Sequence, residues 1–531
     1  MPAATRRRSL RKETVYDRSR LTRKGQQRGN QSLLATASSS SEIMSKKRSA
    51  SSGSHAEFRT NKRPRRSSLP LNPAVQPLKP FPGHSVTVLV HGSPEFGQLG
   101  MGVDQVTEIS RPRLHTKIQD LLEGGQLGRH GVEQIVAGGM HSLVVDSDGK
   151  VWSWGVNDNM ALGRPTQGIK DADAEELESS PAIIGDLHGF RAVRVAACDS
   201  YSLALDDTGS IRAWGTFKLP DGRCSFDGVQ GCPENVLKPT MLPALANVEI
   251  CQLACGENHV VALDRTGLVY TWGEGSCRQL GRRFEDTALD SAMSPRRIML
   301  QHIVAVGTGY RHSFAVDKSG VVYGWGLNMS HQIGLSDDLR GRASHIPIPT
   351  PIPALHPQNH NGAKVVQFAA GEFHSLFLFD NGEVWGCGQC DQNAVGLAHD
   401  RPEYLAAKRA VQSSVGAETV KIDICISEPV RVAFPPPPTQ DDPTPPLPPA
   451  SLPFSSTKIS YISADGRYSF ACSEQGVLYA WGEGECAQLG LGADQGAAGT
   501  PTRVRSKDLK SYRPIGVSCG GQVVLTPVIH L

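Results

Sequence analysis

The stretch VAGGMHSLVVDSDGKVWSWG, Val136 to Gly155, decides the fold of this 531-residue chain. It holds an apolar run, a small turn before His141, a second apolar run, an Asp-Gly turn, and a third run closed by Trp154 and Gly155. Short β-rich runs separated by turn signals read as consecutive antiparallel strands. The same template returns at residues 195–215, 253–273, 306–326, 369–388 and 463–482. Each copy places a His or Tyr at the start of its second strand: His141, Tyr201, His259, His312, His374 and Tyr468.

Two partial copies lie outside these six. SVTVLVHGSPEFGQLGMG, from Ser85, has the end of a repeat without its beginning, and IGVSCGGQVVLTP, from Ile515, has the beginning without the end. Joined, they make a seventh unit, anchored by Gly92 beside Gly155, Gly215, Gly273, Gly326, Gly388 and Gly482. The anchors are 53 to 63 residues apart except for 94 between the last two. Units of that length, with several short antiparallel strands each, predict an all-β, seven-bladed propeller closed by pairing the two ends of the chain. The expected division is a basic, disordered arm over residues 1–80 and a propeller over 81–531.

The long interval holds AFPPPPTQDDPTPPLPPASLPFSS, and a proline run supplies no ladder donors. Residues 399–460 are therefore expected to be an exposed polyproline-like or disordered insertion, with IPIPTPIPALHPQNHNG, from Ile346, as a shorter case. Either could serve a proline-reading module or be plain solvated loop.

Charge divides along the chain. Residues 1–70 carry 18 Lys and Arg against four acids, a net of +14, leaving about −11 on the rest. Basic arms of this kind suit nucleic acid or other polyanions. The clusters Lys46, Lys47, Arg48 and Lys62, Arg63, Arg65, Arg66 have the spacing of a two-part nuclear import signal. No apolar run reaches the 18 to 20 residues of a membrane helix, and the N-terminus lacks a secretory apolar core, so a soluble intracellular protein without membrane contact is expected. The 12 cysteines show no framework spacing, and Cys387 and Cys390 lack a second pair at zinc spacing. They read as buried small hydrophobes, and no metal or cofactor is expected.

One unit breaks the rule of the others. Five complete units continue past the anchoring Gly into a short turn, as in GVNDNMALG and GEGSCRQLG, but the unit ending at Gly215 reads WGTFKLPDGRCSFDG. As a bare propeller feature this is an exposed loop of variable length.

The repeats, the segment GGMHSLVVDSDGKVWSWGVNDNMALGR (138–164) and WGTFK (214–218) together resemble the regulator of chromosome condensation family, in its fungal-like exchange-factor form, over residues 85–531 apart from the insertions. The resemblance implies a nuclear, chromatin-associated guanine nucleotide exchange factor for the small GTPase Ran. It also implies that residues 217–228 form a hairpin wedge pressed toward the phosphate-binding loop of the GTPase. Phe217, Lys218, Leu219, Pro220, Asp221, Gly222 and Arg223 would make the contact, with Asp221-Gly222 as the turn. The body of the hairpin is longer than the family pattern and contains Pro220, which cannot donate to a strand pair.

On the same footing, the rim that meets the GTPase would include Asp199, Glu257, Asn258, Glu372 and Phe373. Tyr310, Arg311, Asp465 and Arg467 occupy equivalent turns. Asn258 stands where the family has an acid and Phe373 where it has a histidine. The family also contacts DNA and core histones through its arm and a propeller loop, here with Arg282, Arg283, Arg296 and Arg297 as the corresponding positions. An import receptor would read the two basic clusters.

Such a factor makes and breaks no covalent bond: it binds the nucleotide-free GTPase more tightly, and reciprocity then weakens nucleotide binding by the same factor. The repeated His and Tyr residues read as structural hydrogen-bonding groups because they recur once per unit. The changes at Asn258 and Phe373 keep open a second reading, a propeller scaffold that tethers partners to chromatin without exchange. Bond chemistry is disfavoured, since no nucleophile elbow, zinc-spaced His cluster or phosphate-binding loop stands out.

Overall fold

The computed structural model describes residues 71–74, 83–228, 233–283, 290–336, 343–414, 423–436 and 457–531. Both basic clusters of the expected import signal, and residues 437–456 of the proline run, lie outside the described residues.

Seven antiparallel sheets form the blades of a propeller. Blades 1 to 6 are four-stranded and follow the chain: 132–183, 192–240, 250–297, 303–351, 365–431 and 459–503. Blade 7 closes the ring. Its Val86–Gly92 strand pairs along its whole length with Val523–His530, from Val86↔Ile529 to Gly92↔Val523. The expected pairing of the chain ends is therefore the closure itself.

Antiparallel order puts the turn between the first two strands, and whatever follows the third, on one face of the ring, here the rim face. The Asp-Gly turns point to the other, the far face. These turns are built alike: the Asp146 amide donates to the Lys150 carbonyl and Gly149 to Asp146, while Asp146 Oδ1 accepts from the amides of Asp148 and Lys150. Asp206, Asp264 and Asp317 repeat that side-chain cap. The result is a three-residue loop whose glycine takes positive φ, +79° at Gly149, a shape that glycine adopts without steric cost.

Blades are joined by a recurring clasp. The imidazole Nε2 of His141, His259, His312 and His374 lies 2.7–2.9 Å from the Oγ of a serine in the next blade, Ser202, Ser313, Ser375 and Ser469. Each serine hydroxyl donates to a backbone carbonyl of the preceding blade: Ala161, Gln279, Gln332 and Ala394. With its proton committed there, the hydroxyl can only accept from the imidazole, which fixes the tautomer with Nε2 as donor. Burial drives these imidazoles down, to about 4 for His141 and about 3 for His259, His312 and His374, so they are neutral at physiological pH. This is the structural role read from their recurrence.

The same carbonyls take a second donor. Trp214 Nε1 donates to Ala161 O, Trp325 to Gln279 O and Trp481 to Ala394 O, at 2.8–2.9 Å. Trp154 donates to Gln98 O, His91 faces Gln488 O at 2.9 Å, and Cys387 Sγ donates to Gln332 O. Six of the seven seams thus share one acceptor geometry, filled by indole, imidazole or thiol. The exception is the seam between blades 2 and 3.

The prolines mark the outer edge. The stretch from Ile346, expected to be an exposed polyproline-like or disordered insertion, instead begins in the outermost strand of blade 4, His345–Pro351, whose three prolines face no further strand, and continues in the short helical turns Pro353–Leu355 and Pro357–His360. An edge strand needs donors on one side only, which is why proline is tolerated there and also blunts edge-to-edge pairing. Within 399–460, Pro402–Ser414 is a helix and Cys425–Arg431 the outer strand of blade 5. At the neck of the proline run, Thr457 Oγ1 and the Tyr479 hydroxyl both donate to the Pro435 carbonyl.

Residues 71–74 are fixed at the far-face end of the seam between blades 3 and 4. The Asn72 amide donates to Arg265 O at 2.6 Å, and its side-chain Nδ2 to Asp264 O and Ile303 O.

Candidate functional site

The broken repeat is a two-stranded hairpin standing on the rim face. Phe217 pairs with Ser225 and Lys218 with Cys224. The Leu219 amide donates to Arg223 O and Gly222 to Leu219 O, both at 2.9 Å, and Gly222 has φ +87°. This is the three-residue loop of the far-face turns, used again. The turn spans Pro220, Asp221 and Gly222 rather than Asp221-Gly222 alone. Pro220 sits at its first position, where a fixed φ helps and no donor is needed, so the added proline is compatible with the hairpin.

The hairpin has a buried base and an open tip. Phe217, Leu219 and Phe226 are in the core, whereas Pro220 to Arg223 are exposed. Phe217 stacks on Tyr201 with ring centroids 4.0 Å apart, and Phe226 lies 5.5 Å from the same ring. Here Tyr201 replaces the clasp histidine and Val260 the clasp serine. Blade 2 also lacks the turn whose carbonyl would receive Trp272, and the buried Trp272 indole N–H has no such acceptor. Aromatic stacking, worth about 0.5–1.5 kcal/mol beyond area burial, substitutes for the hydrogen-bonded clasp.

Polar anchors then hold the hairpin to the rim. Asn258 Oδ1 accepts from the Lys218 amide at 3.1 Å, and Thr216 Oγ1 donates to Glu234 O at 2.6 Å. At the tip, the Arg223 guanidinium hydrogen-bonds Asp221 at 2.8 Å and holds its carboxyl below the usual range.

Backbone hydrogen bonds join the ring of rim turns around the central opening at five of its seven seams. The Asp199 amide donates to Glu257 O, Glu257 to Tyr310 O, Tyr310 to Gly371 O, Glu372 to Gly466 O, and Gly521 to Gly138 O. All the expected rim residues stand on this ring, with Asp199, Glu257 and Asn258 in the two turns flanking the hairpin. Glu257 Oε2 accepts from Arg311 Nε at 2.8 Å. Burial works against the Arg311 guanidinium, but that carboxylate lifts it above its ordinary value. Across the opening, the Tyr310 hydroxyl donates to Asp465 at 3.1 Å. Glu372 and Phe373 are half-buried and Arg467 exposed. Asn258, adjacent to Glu257, is thus turned to the hairpin backbone.

The four arginines named for histone contact divide. Arg282 points inward to the carbonyls of Ala292 and Ser294, as Arg164 does to Leu177 and Ser180 in blade 1, so it braces the loop after its own turn. Burial lowers its guanidinium to about 10. Arg283, Arg296 and Arg297 are exposed. Among the described residues no group of three or more His, Cys, Asp or Glu is arranged to hold a metal ion. Burial pushes the Cys387 and Cys390 thiols well up, which keeps both protonated.

Residues 87–526 match the family described as RCC1-like domain. The chain is 32% identical over 454 residues to Protein pim1 of Schizosaccharomyces pombe, covering 84% of this chain and 75% of that protein. It is 30% identical over 485 residues to the guanine nucleotide exchange factor SRM1 of Saccharomyces cerevisiae, covering 86% and 89%. The crystal structure of Prp20p from Saccharomyces cerevisiae, studied with its binding to Gsp1p and histones, superposes with a TM-score of 0.69 at 29% identity. That match covers 85% of this chain and 93% of Prp20p.

Proposed function

The chain belongs to the RCC1-like domain family, and from that premise we propose that it is a guanine nucleotide exchange factor that releases GDP from a Ran-type GTPase. The observation that carries the reading is the hairpin Phe217–Ser225, which rises on the rim face between the turns bearing Asp199 and Glu257. A stiff two-stranded element with a core-anchored base and a polar tip can press on a partner without collapsing. Its tip, Pro220 to Arg223, would displace the backbone donors and the Mg²⁺ environment that hold the nucleotide phosphates. The rim acids Asp199, Glu257 and Glu372 would bind the cationic groups thereby freed. Tighter binding of the nucleotide-free state then weakens nucleotide binding by reciprocity, with no covalent step.

The relatives support this reading: SRM1 is by name an exchange factor, and Prp20p has been studied for binding to Gsp1p and histones. On the same grounds the protein acts in the nucleus on chromatin. Residues 1–80 would serve as a basic arm for DNA and for an import receptor, and residues 81–531 as the exchange body. Arg283, Arg296 and Arg297 are the propeller-loop residues offered to histones.

The test is release of a fluorescent GDP analogue from purified Ran with excess GTP. The full chain is compared with a variant in which only Pro220 to Arg223 are replaced by Gly and Ser, leaving Phe217, Leu219 and Phe226 in the core. Fast release by the parent and at least a tenfold loss in a variant of unchanged thermal midpoint is the expected result. No acceleration by the folded parent would overturn exchange and leave the tethering scaffold, which the Asn258 and Phe373 positions favour.

A further inference from the structure

The outer edge of blades 6 and 7 concentrates positive charge at its far-face end. Arg111 and Arg113 alternate along the strand Ile109–Leu114 with Pro112 buried between them, so both side chains face solvent. Beside them run Arg503, at the end of the strand Ala497–Arg503, and Arg505, Lys507, Lys510 and Arg513 on the connection into blade 7. All are exposed except Arg503, which is half-buried.

These segments are locked to one another. Arg111 Nη1 donates to Arg505 O at 2.9 Å, the Leu114 amide to Asp508 Oδ2 at 2.9 Å, and Arg513 Nη2 to Glu474 O at 2.7 Å. Asp508 is turned to a backbone amide, and among the described residues none of the seven cations forms an ion pair with a carboxylate. Burial, and then Arg505, lower the Arg503 guanidinium, so the charges repel one another across the patch.

We propose that this edge is a binding surface for the phosphate backbone of a duplex nucleic acid. Alternate residues of a strand stand about 6.7 Å apart, so Arg111 and Arg113 on one segment, and Arg503, Arg505 and Lys507 on the next, present two rows of charge suited to tracking a phosphate backbone. A protein partner would call for an apolar anchor. Val106 and Leu531 are exposed at the margins, but no Trp, Tyr or Phe is exposed within the patch. The surface lies on the outer edge of blades 6 and 7, whereas the hairpin stands on the rim face of blade 2, so duplex and rim partner would not compete for space.

The experiment is fluorescence anisotropy of a labelled 30-base-pair DNA duplex with the full chain, between 50 and 200 mM salt. The parent is compared with R111Q/R113Q/R505Q/K507Q, whose thermal midpoint is checked first, and with K62Q/R63Q/R65Q/R66Q. The expected result is that the first variant loses at least tenfold in affinity at 100 mM salt and that its log–log salt slope shrinks by about 3, independently of the second. An unchanged slope and affinity in the folded variant would overturn the proposal. So would a variant that loses binding of a labelled poly-Glu peptide but not of DNA, which would assign the edge to an acidic protein. No GTPase enters the measurement, so its outcome is independent of the exchange reading.

Discussion

The seam between blades 2 and 3 differs from the six others in how it is held. Elsewhere a turn carbonyl of one blade receives an indole, imidazole or thiol of the next, and at four seams a histidine and serine complete a clasp. Between blades 2 and 3 the turn is gone, its place is taken by a hairpin, and Phe217 stacked on Tyr201 fills the gap. A repeat architecture can therefore give up one polar joint, provided that aromatic burial replaces it where the departing segment leaves the core. The hairpin's base became part of the seam, so its tip is mounted on two blades at once.

Removing the closure that all seams depend on should have the gravest consequence. Deleting residues 515–531 takes away the strand paired with Val86–Gly92, and the expected outcome is loss of the cooperative thermal transition. Deleting residues 1–70 is expected to leave it intact.

Acid comes next. His91, His115, His141, His259, His312 and His374 are buried, and burial lowers them to between about 3 and about 4, against about 6.5 when unfolded. Below pH 6.5 the unfolded chain binds protons that the folded one refuses. Stability is thus fully present above pH 6.5 and falls until the folded values are reached, by about 1.4 kcal/mol per pH unit for each histidine. Urea midpoints should be flat above pH 7 and drop steeply between pH 6 and 4; a flat profile to pH 4 would show that the imidazoles do not stay neutral.

A direct attack on the exception is to restore the clasp residues, Tyr201→His with Val260→Ser. Because no turn carbonyl is available and Phe217 loses its stacking partner, the pair should lower stability by about 2–4 kcal/mol in urea unfolding rather than raise it. His312→Ala at an ordinary seam should cost about 2–3 kcal/mol and leave nucleotide release unchanged.

The mildest change concerns the anchor between the hairpin and the rim. Asn258→Ala removes the acceptor for the Lys218 amide and should cost about 1 kcal/mol while slowing release roughly tenfold. Asn258→Asp keeps an acceptor oxygen there and should recover most of the rate. Failure of that rescue would mean that the side chain meets the GTPase directly rather than positioning the hairpin.

The contrast between the seams also explains what could be read in advance. The ring, its closure and its one odd unit were legible because Gly, Asp-Gly and Trp recur at fixed offsets, and each has a side-chain reason to do so. Tyr201 and Val260 stand where four other seams have His and Ser, but only the structure, by showing the clasp those residues form, reveals that one has been lost. The acceptors at Ala161, Gln279, Gln332 and Ala394 were not legible, since a backbone carbonyl leaves no trace in residue identity. The prolines of His345–Pro351 misled because proline excludes a strand interior but not an outer edge. Arg282 looked available because a charge in a loop is usually solvated, and only the inward carbonyls of Ala292 and Ser294 reveal its bracing role.

The closing strand pair has a mechanical meaning. Val86 lies opposite Ile529, so tension applied at the two ends of the chain would peel the pairs one after another, like a zipper, instead of shearing all seven together. The ring would then be soft against pulling at its ends. The three hydrogen bonds donated by Asn72 change where that load lands. A tug transmitted from upstream of Leu71 meets blades 3 and 4 before it can reach Val86, and the fastening of the ring is spared the strain.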